Sequence, residues 1–248
     1  MSETPVALVT GAASGLGQAT AERLSAQGWR VAGLDRAAIA PGGPCAYTEV
    51  VDVTDEAAVR TGVTAMVAAL GRVDALVCCA GIAGSAVGDG PADKLTKAAL
   101  DAVFAVNLRG TALVVAAAWP ALVASRGSIV LVSSILGLTG GGGPFASHGY
   151  VMSKGGITAF TKALAASGRD HGVRANAVAP GLVDTPMAAR ALNRPQVREY
   201  VRDRQPLTRG PIPPGAVADV IAFLCSSGAA AVTGQVIAVD AGWGLDPA

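Results

Sequence analysis

This 248-residue chain is short of charge: Asp, Glu, Lys and Arg make up 15% of it and cancel to a net +1. A general nucleic-acid binder needs a basic surface to neutralise phosphates, and a chain this balanced is not expected to carry one. Cysteine is also scarce. The four, at 45, 78, 79 and 225, have neither metal-ligand spacing nor the framework of a small secreted domain. They read as reduced packing thiols, and no metal is expected. No apolar run reaches the roughly 20 residues that a helix needs to cross a bilayer. The least polar stretch, 110–125, has 16 residues, lies between Arg109 and Arg126 and is interrupted by Pro120, so it reads as a buried helix. A basic leader followed by a signal-type apolar segment is missing too, because Val6 already opens a core-like strand. These absences predict a cytoplasmic protein with no membrane span and no nucleic-acid partner.

What the chain does have is apolar surface to bury, at 51% hydrophobic residues and a mean hydropathy of +0.47. The length allows one large domain or two small ones, and a single domain over 1–248 is expected. Short apolar runs near 6–10, 30–35, 46–51, 73–79, 128–133, 173–178 and 235–239 read as strands covered on both faces. Helical stretches alternate with them; one begins at Asp55-Glu56, with acids at its positive end, and closes before Gly71. Right-handed crossovers then give an α/β fold, a Rossmann-like, doubly wound parallel sheet of seven strands with helices on both faces. Ligands of such sheets bind beyond the carboxyl ends of the strands.

Two motifs sit at such ends. After the run Val6 to Val9 comes Thr10-Gly11-Ala12-Ala13-Ser14-Gly15-Leu16-Gly17, then a helical pattern. Glycines let the backbone turn tightly and approach a pyrophosphate, while a helix N-terminus offers free N–H groups to its oxygens. Taken alone, the turn suits an ordinary tight loop equally well. Asp35 adds weight, because it ends the next apolar run and lies 35 − 17 = 18 residues beyond the last glycine. A carboxylate there suits a ribose diol. The second motif is Tyr150-Val151-Met152-Ser153-Lys154. Residues four apart share a helix face, so an ammonium can sit beside a phenol and favour its ionised form. At about 4 Å and a dielectric near 20 the attraction is at most ~4 kcal/mol, a ceiling of about 3 pH units on the phenol. By itself this spacing also describes many surface pairs.

Together these residues resemble the short-chain dehydrogenase/reductase family, and the resemblance covers nearly the whole chain. The matching pieces fall in order: the glycine turn at 10–17, Asp35, Asp52-Val53, Cys79-Ala80-Gly81, Asn107, Ser134, Tyr150 with Lys154, Pro180-Gly181-Leu182-Val183-Asp184-Thr185, and the closing V-T-G-Q-V-I-A-V-D-A-G. The resemblance implies a catalytic set of Asn107, Ser134, Tyr150 and Lys154. Tyr150 is then the general acid/base and Lys154 lowers its pKa and binds the nicotinamide ribose. Ser134 orients the reacting oxygen, and Asn107 holds a water in a proton relay. It implies cofactor contacts at Gly11, Ser14, Gly15, Leu16, Gly17, Asp35, Cys79, Ala80, Gly81, Pro180 and Gly181, with Asp52 and Val53 flanking the adenine and Val183 and Thr185 meeting the carboxamide. It also implies a homo-oligomer, a tetramer, which the apolar helix at 110–125 and the apolar C-terminal strand would suit. NAD is expected over NADP because Asp35 would repel a 2′-phosphate, although Arg36 stands next to it.

The implied activity is hydride transfer between NAD(H) and a small-molecule secondary alcohol or ketone. A nucleotide-sugar epimerase or dehydratase, and a non-catalytic NAD sensor or scaffold, are the alternatives. The chain departs from the family pattern in two places. Cys78-Cys79 stand where many relatives have two asparagines, and Ser134 lies 16 residues before Tyr150 where about 13 is frequent. The longer loop, with Gly140 to Gly143, Phe145, Ser147 and His148, is expected to reshape the substrate mouth. A lid over 186–214 carries Arg190, Arg194, Arg198, Arg202, Arg204 and Arg209 against Glu199 and Asp203. These arginines read as a solvated face, or as a stripe for an anionic substrate.

Overall fold

A computed structural model describes residues 4–245. Seven strands, β1 (Val6–Thr10), β2 (Arg30–Asp35), β3 (Cys45–Val50), β4 (Ala75–Cys78), β5 (Ser128–Val132), β6 (Arg174–Pro180) and β7 (Val236–Val239), form one sheet in the order β3-β2-β1-β4-β5-β6-β7. Every neighbouring pair is parallel. The helices between them are α1 (Gly15–Ala26), α2 (Glu56–Leu70), α3 (Lys97–Phe104), α4 (Thr111–Ser125), the short α5 (Leu136–Thr139), α6 (His148–Gly168), α7 (Pro186–Leu192), α8 (Pro195–Arg204) and α9 (Pro214–Cys225).

Side chains of a strand alternate between faces, and the core divides accordingly. Val6 and Leu8 of β1 pack with Met66 of α2, Leu122 of α4 and Ile157 of α6. Ala7 and Val9 pack on the opposite face with Leu24 of α1 and Ile221 of α9. Local signals explain the helix limits. The Asp55 carboxylate accepts from the Ala58 N–H at 3.0 Å and caps α2, and Gly71 ends it with φ +83, a conformation only glycine adopts without strain.

The structure lengthens one element. From Lys97 to Ser125 the chain is a single helical run of 29 residues, through a π segment at Ala105–Gly110. Its length and composition would suffice to cross a membrane. The 16-residue measure taken from the sequence stopped at Arg109 because a charge ends an apolar window without ending a helix. In the fold Val114, Ala118 and Leu122 of this run are 0% exposed against the sheet, as in a core helix. The longer loop between Ser134 and Tyr150 also contains helical turns, α5 and Gly143–Phe145.

Strand order reverses direction between β1 and β4: the chain leaves β1 for β2 and β3 on one side, then returns to β4 on the other. The connections diverge there and open a crevice at the carboxyl ends. Leu122→Ala should lower the unfolding free energy by about 2–5 kcal/mol, read from urea unfolding curves, because it leaves a cavity under the sheet. A change under about 0.5 kcal/mol would show that α4 does not pack as described.

Candidate active site

The glycine turn is as tight as its residue types allow. Gly11 has φ +70, and a Cβ there would lie 2.9 Å from the Ala80 nitrogen. A Cβ on Gly17 would lie 2.0 Å from the Gly11 carbonyl oxygen, so nothing larger lets α1 start this close to β1. Gly15, at φ +54, faces Thr185 across the crevice, with 3.3 Å from its would-be Cβ to the threonine Cβ. Ser14 is the extended N-cap of α1 and makes no side-chain capping bond, and the Leu16 carbonyl accepts from Thr20 Oγ1 at 2.7 Å. No side chain of the N-cap occupies the first N–H groups of α1, and Gly15 and Gly17 keep the backbone around them bare. A pyrophosphate fits this cradle.

Asp35 closes one end of it. Its Oδ2 accepts from the Ala13 N–H of the glycine turn at 3.0 Å and its Oδ1 from the Ala37 N–H at 2.9 Å. Farther along, Asp52 is exposed, and the Thr54 N–H and hydroxyl donate to its Oδ1 at 2.8 and 2.7 Å. Those bonds, and then the Arg36 guanidinium, hold its carboxyl below the usual range. Val53 is 7% exposed and packs against Gly110, forming a wall behind Asp52.

At the end of β4, beside Cys78-Cys79, two threonines supply the polar contacts. Thr10 Oγ1 accepts from the Ala80 N–H at 3.1 Å, and Thr20 Oγ1 lies 4.0 Å from Cys79 Sγ. Gly81 follows closely packed: its would-be Cβ lies 3.3 Å from Asn107 Oδ1 and 3.7 Å from Lys154 Nζ. Asn107 sits in the π segment, 1% exposed. Its Oδ1 accepts from the Ile82 N–H at 2.8 Å, while Nδ2 donates to the Ile82 carbonyl at 3.0 Å and to Ser153 Oγ at 3.3 Å. The side chain fastens the segment after Gly81 to α6, a task the expected relay role did not include.

Ser134 follows β5, and Tyr150 and Lys154 stand on the first two turns of α6. The Lys154 ammonium is 5% exposed, donates to the Val132 carbonyl at 2.8 Å and lies 5.7 Å from the Tyr150 ring centroid. The Ser133 hydroxyl donates to the Lys154 carbonyl at 2.8 Å and ties α6 to β5. Burial pushes the Tyr150 phenol above its ordinary value, and a hydrogen bond with Ser134 pulls it partly back. Lys154 itself is lowered to about 8 by burial, against weaker opposing pulls from Cys79 and Cys78. The phenol thus lies above its ordinary value in the cofactor-free cleft, because desolvation penalises its charged form.

From β6, the Pro180 carbonyl accepts from the Ile135 N–H at 2.9 Å, and the Gly181 N–H donates to the Val239 carbonyl at 3.1 Å. Val183 bridges to Ile212, and Thr185 is the N-cap of α7. One crevice thus gathers the sequence-predicted residues from the ends of β1, β2, β4, β5 and β6. Sequence reasoning missed Gln205, 0% exposed, whose Oε1 accepts from the Leu182 N–H at 2.6 Å and whose Nε2 donates to the Leu182 carbonyl at 3.3 Å and the Gly210 carbonyl at 2.5 Å. It pins the end of α8 to the Pro180–Thr185 segment, and a lone glutamine gives no local signal of that.

The mouth beside Tyr150 is apolar. Phe145 of the longer loop, Tyr200 of α8 and Trp243 form a three-way aromatic cluster with centroids 5.4–5.8 Å apart, and Tyr150 packs against the same group. α8 turns Val197 and Val201 inward and leaves Arg194, Arg198 and Arg202 exposed. The arginine stripe is broken: α7 ends at Leu192, Arg194 caps α8, and Arg198 donates to the Leu192 carbonyl at 3.0 Å.

A family model described as enoyl-(acyl carrier protein) reductase matches residues 11–244. Cis-4-hydroxycyclohexanecarboxylate dehydrogenase of Sinomonas cyclohexanicum is 39% identical over 247 residues, 96% of each chain. Among solved structures, 3-ketoacyl-(acyl-carrier-protein) reductase from Brucella melitensis, complexed with NADH, superimposes with a TM-score of 0.85 at 29% identity, over 97% of this chain and 98% of that one. Actinorhodin polyketide ketoreductase with NADPH gives 0.87 at 31% identity, covering 98% of both.

The lowered Lys154 pKa has a consequence for stability. Between about 8 and its ordinary 10.5 the unfolded chain binds the proton that the folded chain has lost, so this group makes stability rise with pH. As pH approaches 9.0 and beyond, the buried thiols of Cys79 and Cys225, pushed up to about 12, act in the opposite direction. In cofactor-free protein, the stability difference between wild type and Lys154→Met, from urea unfolding, should therefore move by about 1 kcal/mol in favour of wild type between roughly pH 7 and 9, the thiols acting on both proteins alike. Parallel pH curves for the two proteins would contradict the buried-ammonium assignment.

Proposed function

The chain belongs to the short-chain dehydrogenase/reductase family of nicotinamide-dependent oxidoreductases, and on that premise we propose that it moves a hydride between NAD(H) and the carbinol or carbonyl carbon of a secondary alcohol or ketone. The observation that carries this reading is the meeting of Ser134, Tyr150 and Lys154 in one largely buried patch beside a backbone cradle shaped for a pyrophosphate. The nicotinamide supplies the hydride acceptor or donor. The chain's own residues do the rest.

Gly11, Ser14, Gly15, Leu16 and Gly17 would hold the pyrophosphate, and Asp35 the ribose diol. Asp52 and Val53 would bound the adenine, Cys79, Ala80 and Gly81 would line the floor, and Pro180, Gly181, Val183 and Thr185 would meet the nicotinamide end. Ser134 would donate to the reacting oxygen and fix its direction. On reduction the Tyr150 phenol would give its proton to the carbonyl oxygen; on oxidation its phenolate would take the hydroxyl proton as the C–H electron pair leaves as hydride. Lys154 stands between the phenol and Gly81, where an ammonium can bond ribose hydroxyls. Asn107 would link this group to the segment after Gly81.

NAD is the proposed partner because the Asp35 carboxylate already lies against the glycine turn, while Arg36 acts on Asp52. The aromatic mouth favours a substrate with uncharged, apolar substituents, and Arg194, Arg198 and Arg202 lie exposed outside it. The proposed assembly is a homotetramer, to be checked by light scattering.

Tyr150→Phe should cut turnover about 100-fold or more while NADH binding, followed by fluorescence titration, stays near wild type. More than about a tenth of the activity remaining would remove Tyr150 from the mechanism. Asp35→Ser should narrow the NAD-over-NADP ratio of kcat/KM by about 10-fold, the equivalent of ~1.4 kcal/mol of relieved repulsion. A wild-type preference for NADP would show that Arg36 governs the site instead.

A further inference from the structure

The loop after Gly81 carries an acid that the chemistry above leaves unused. Asp89 is 7% exposed, and both carboxylate oxygens bond the start of α6: Oδ1 accepts from the Gly149 N–H at 3.0 Å and Oδ2 from the Tyr150 N–H at 2.8 Å. The neighbouring Gly90 carbonyl accepts from the His148 N–H at 3.1 Å. A helix begins with four N–H groups that have no partner within it. Ser147, at the N-cap of α6, makes no side-chain bond to them. One loop, about sixty residues upstream, supplies what the helix's own cap does not.

The carboxylate is itself held in place. Gly84–Val87 is a single 3-10 turn closed by Gly88 at φ +79, and the Asp89 N–H donates to the Gly84 carbonyl at 3.0 Å. A Cβ on Gly84 would lie 2.2 Å from Oδ2, and one on Gly149 would lie 3.1 Å from Oδ1. Glycine at both positions lets the carboxylate reach the backbone. Nor does α6 need this acid to be helical, since the helix has 21 residues and buries Ser153, Ile157, Thr161 and Leu164 along its length. What Asp89 governs is the first turn, where Tyr150 stands.

We propose that Asp89 is the positioning residue of Tyr150, gripping the backbone of that residue so that its phenol meets Ser134 and the substrate oxygen. The proposal rests on Tyr150 being the proton-transfer group. A carboxylate suits the task because it accepts at two oxygens and complements the positive end of the helix.

The test compares Asp89→Ala, Asp89→Asn, Gly84→Ala and Tyr150→Phe with wild type. Each is assayed with NAD and whichever of cyclohexanol, 2-butanol and 3-hydroxybutyryl coenzyme A the wild type oxidises fastest. Asp89→Ala should lower kcat by about 10- to 100-fold, the scale on which a misplacement near 1 Å acts. The NADH dissociation constant should stay within about twofold. Asp89→Asn, which keeps one acceptor, should recover part of the loss, and Gly84→Ala, which crowds the carboxylate off its partners, should reproduce it. Hydrogen exchange over a peptide spanning 147–152 should show two amides losing protection in Asp89→Ala, a readout that holds if none of the three alcohols is turned over. Unchanged kcat with only a lower melting temperature, unchanged amide protection, or NADH binding lost in step with kcat would each overturn the proposal. If Tyr150→Phe stays active, the reading of Tyr150 falls with it, and that result is distinct from the others.

Discussion

A parallel sheet covered by helices on both faces leaves a polar ligand one way in, through the edge where the strands end. Everything at the site follows from that constraint. β1, β2, β4, β5 and β6 all finish on this edge, so Gly11, Asp35, Cys79, Ser134 and Pro180 each appear within a residue or two of a strand terminus. The crossovers diverge between β1 and β4, and the glycine turn packs tightly into the gap they leave. Three contacts there, Gly17 on the Gly11 carbonyl, Gly11 on Ala80 and Gly15 on Thr185, tolerate no further atom without movement. The cradle is a packing result before it is a binding result.

Burial also sets the electrostatics. Placing a phenol and an ammonium four residues apart on a solvated helix would favour both charges. Placing them at the bottom of a crevice, with the ammonium on the Val132 carbonyl, penalises both. Burial therefore raises the Tyr150 phenol and lowers the Lys154 ammonium from their ordinary values. Ser134 already pulls the phenol in the useful direction.

The rest of the molecule braces this patch from behind. Asn107 fastens Ile82, Ser133 fastens the Lys154 carbonyl, Gln205 fastens Leu182, and Asp89 fastens Tyr150. All four are buried polar side chains spent mainly on backbone groups. Such bonds cost little when fully made and a great deal when half made, so each ties one loop of the crevice to one register. The aromatic cluster of Phe145, Tyr200 and Trp243 joins the longer loop, α8 and the C-terminal segment in the same way without polar atoms.

Local signals in the sequence were sufficient for the architecture and for one side of the site. Seven apolar runs became seven strands with ends shifted by a residue or two, because alternation and glycine punctuation act over a few residues. Asp55, Gly71 and the glycine turn behaved as their types dictate. The order of the strands, the partners of Asn107, the threonines beside Cys79 and the bracing roles of Asp89 and Gln205 were not legible, since each depends on residues from about 20 to 70 positions apart. The same limit hid the length of the helix through Asn107 and the burial that raises the Tyr150 phenol. The sequence by itself determined which chemical groups are available and in what order along the chain. Only the tertiary structure decided how deeply they are buried and which backbone atoms hold them, because desolvation and long-range hydrogen bonds have no counterpart in local pattern.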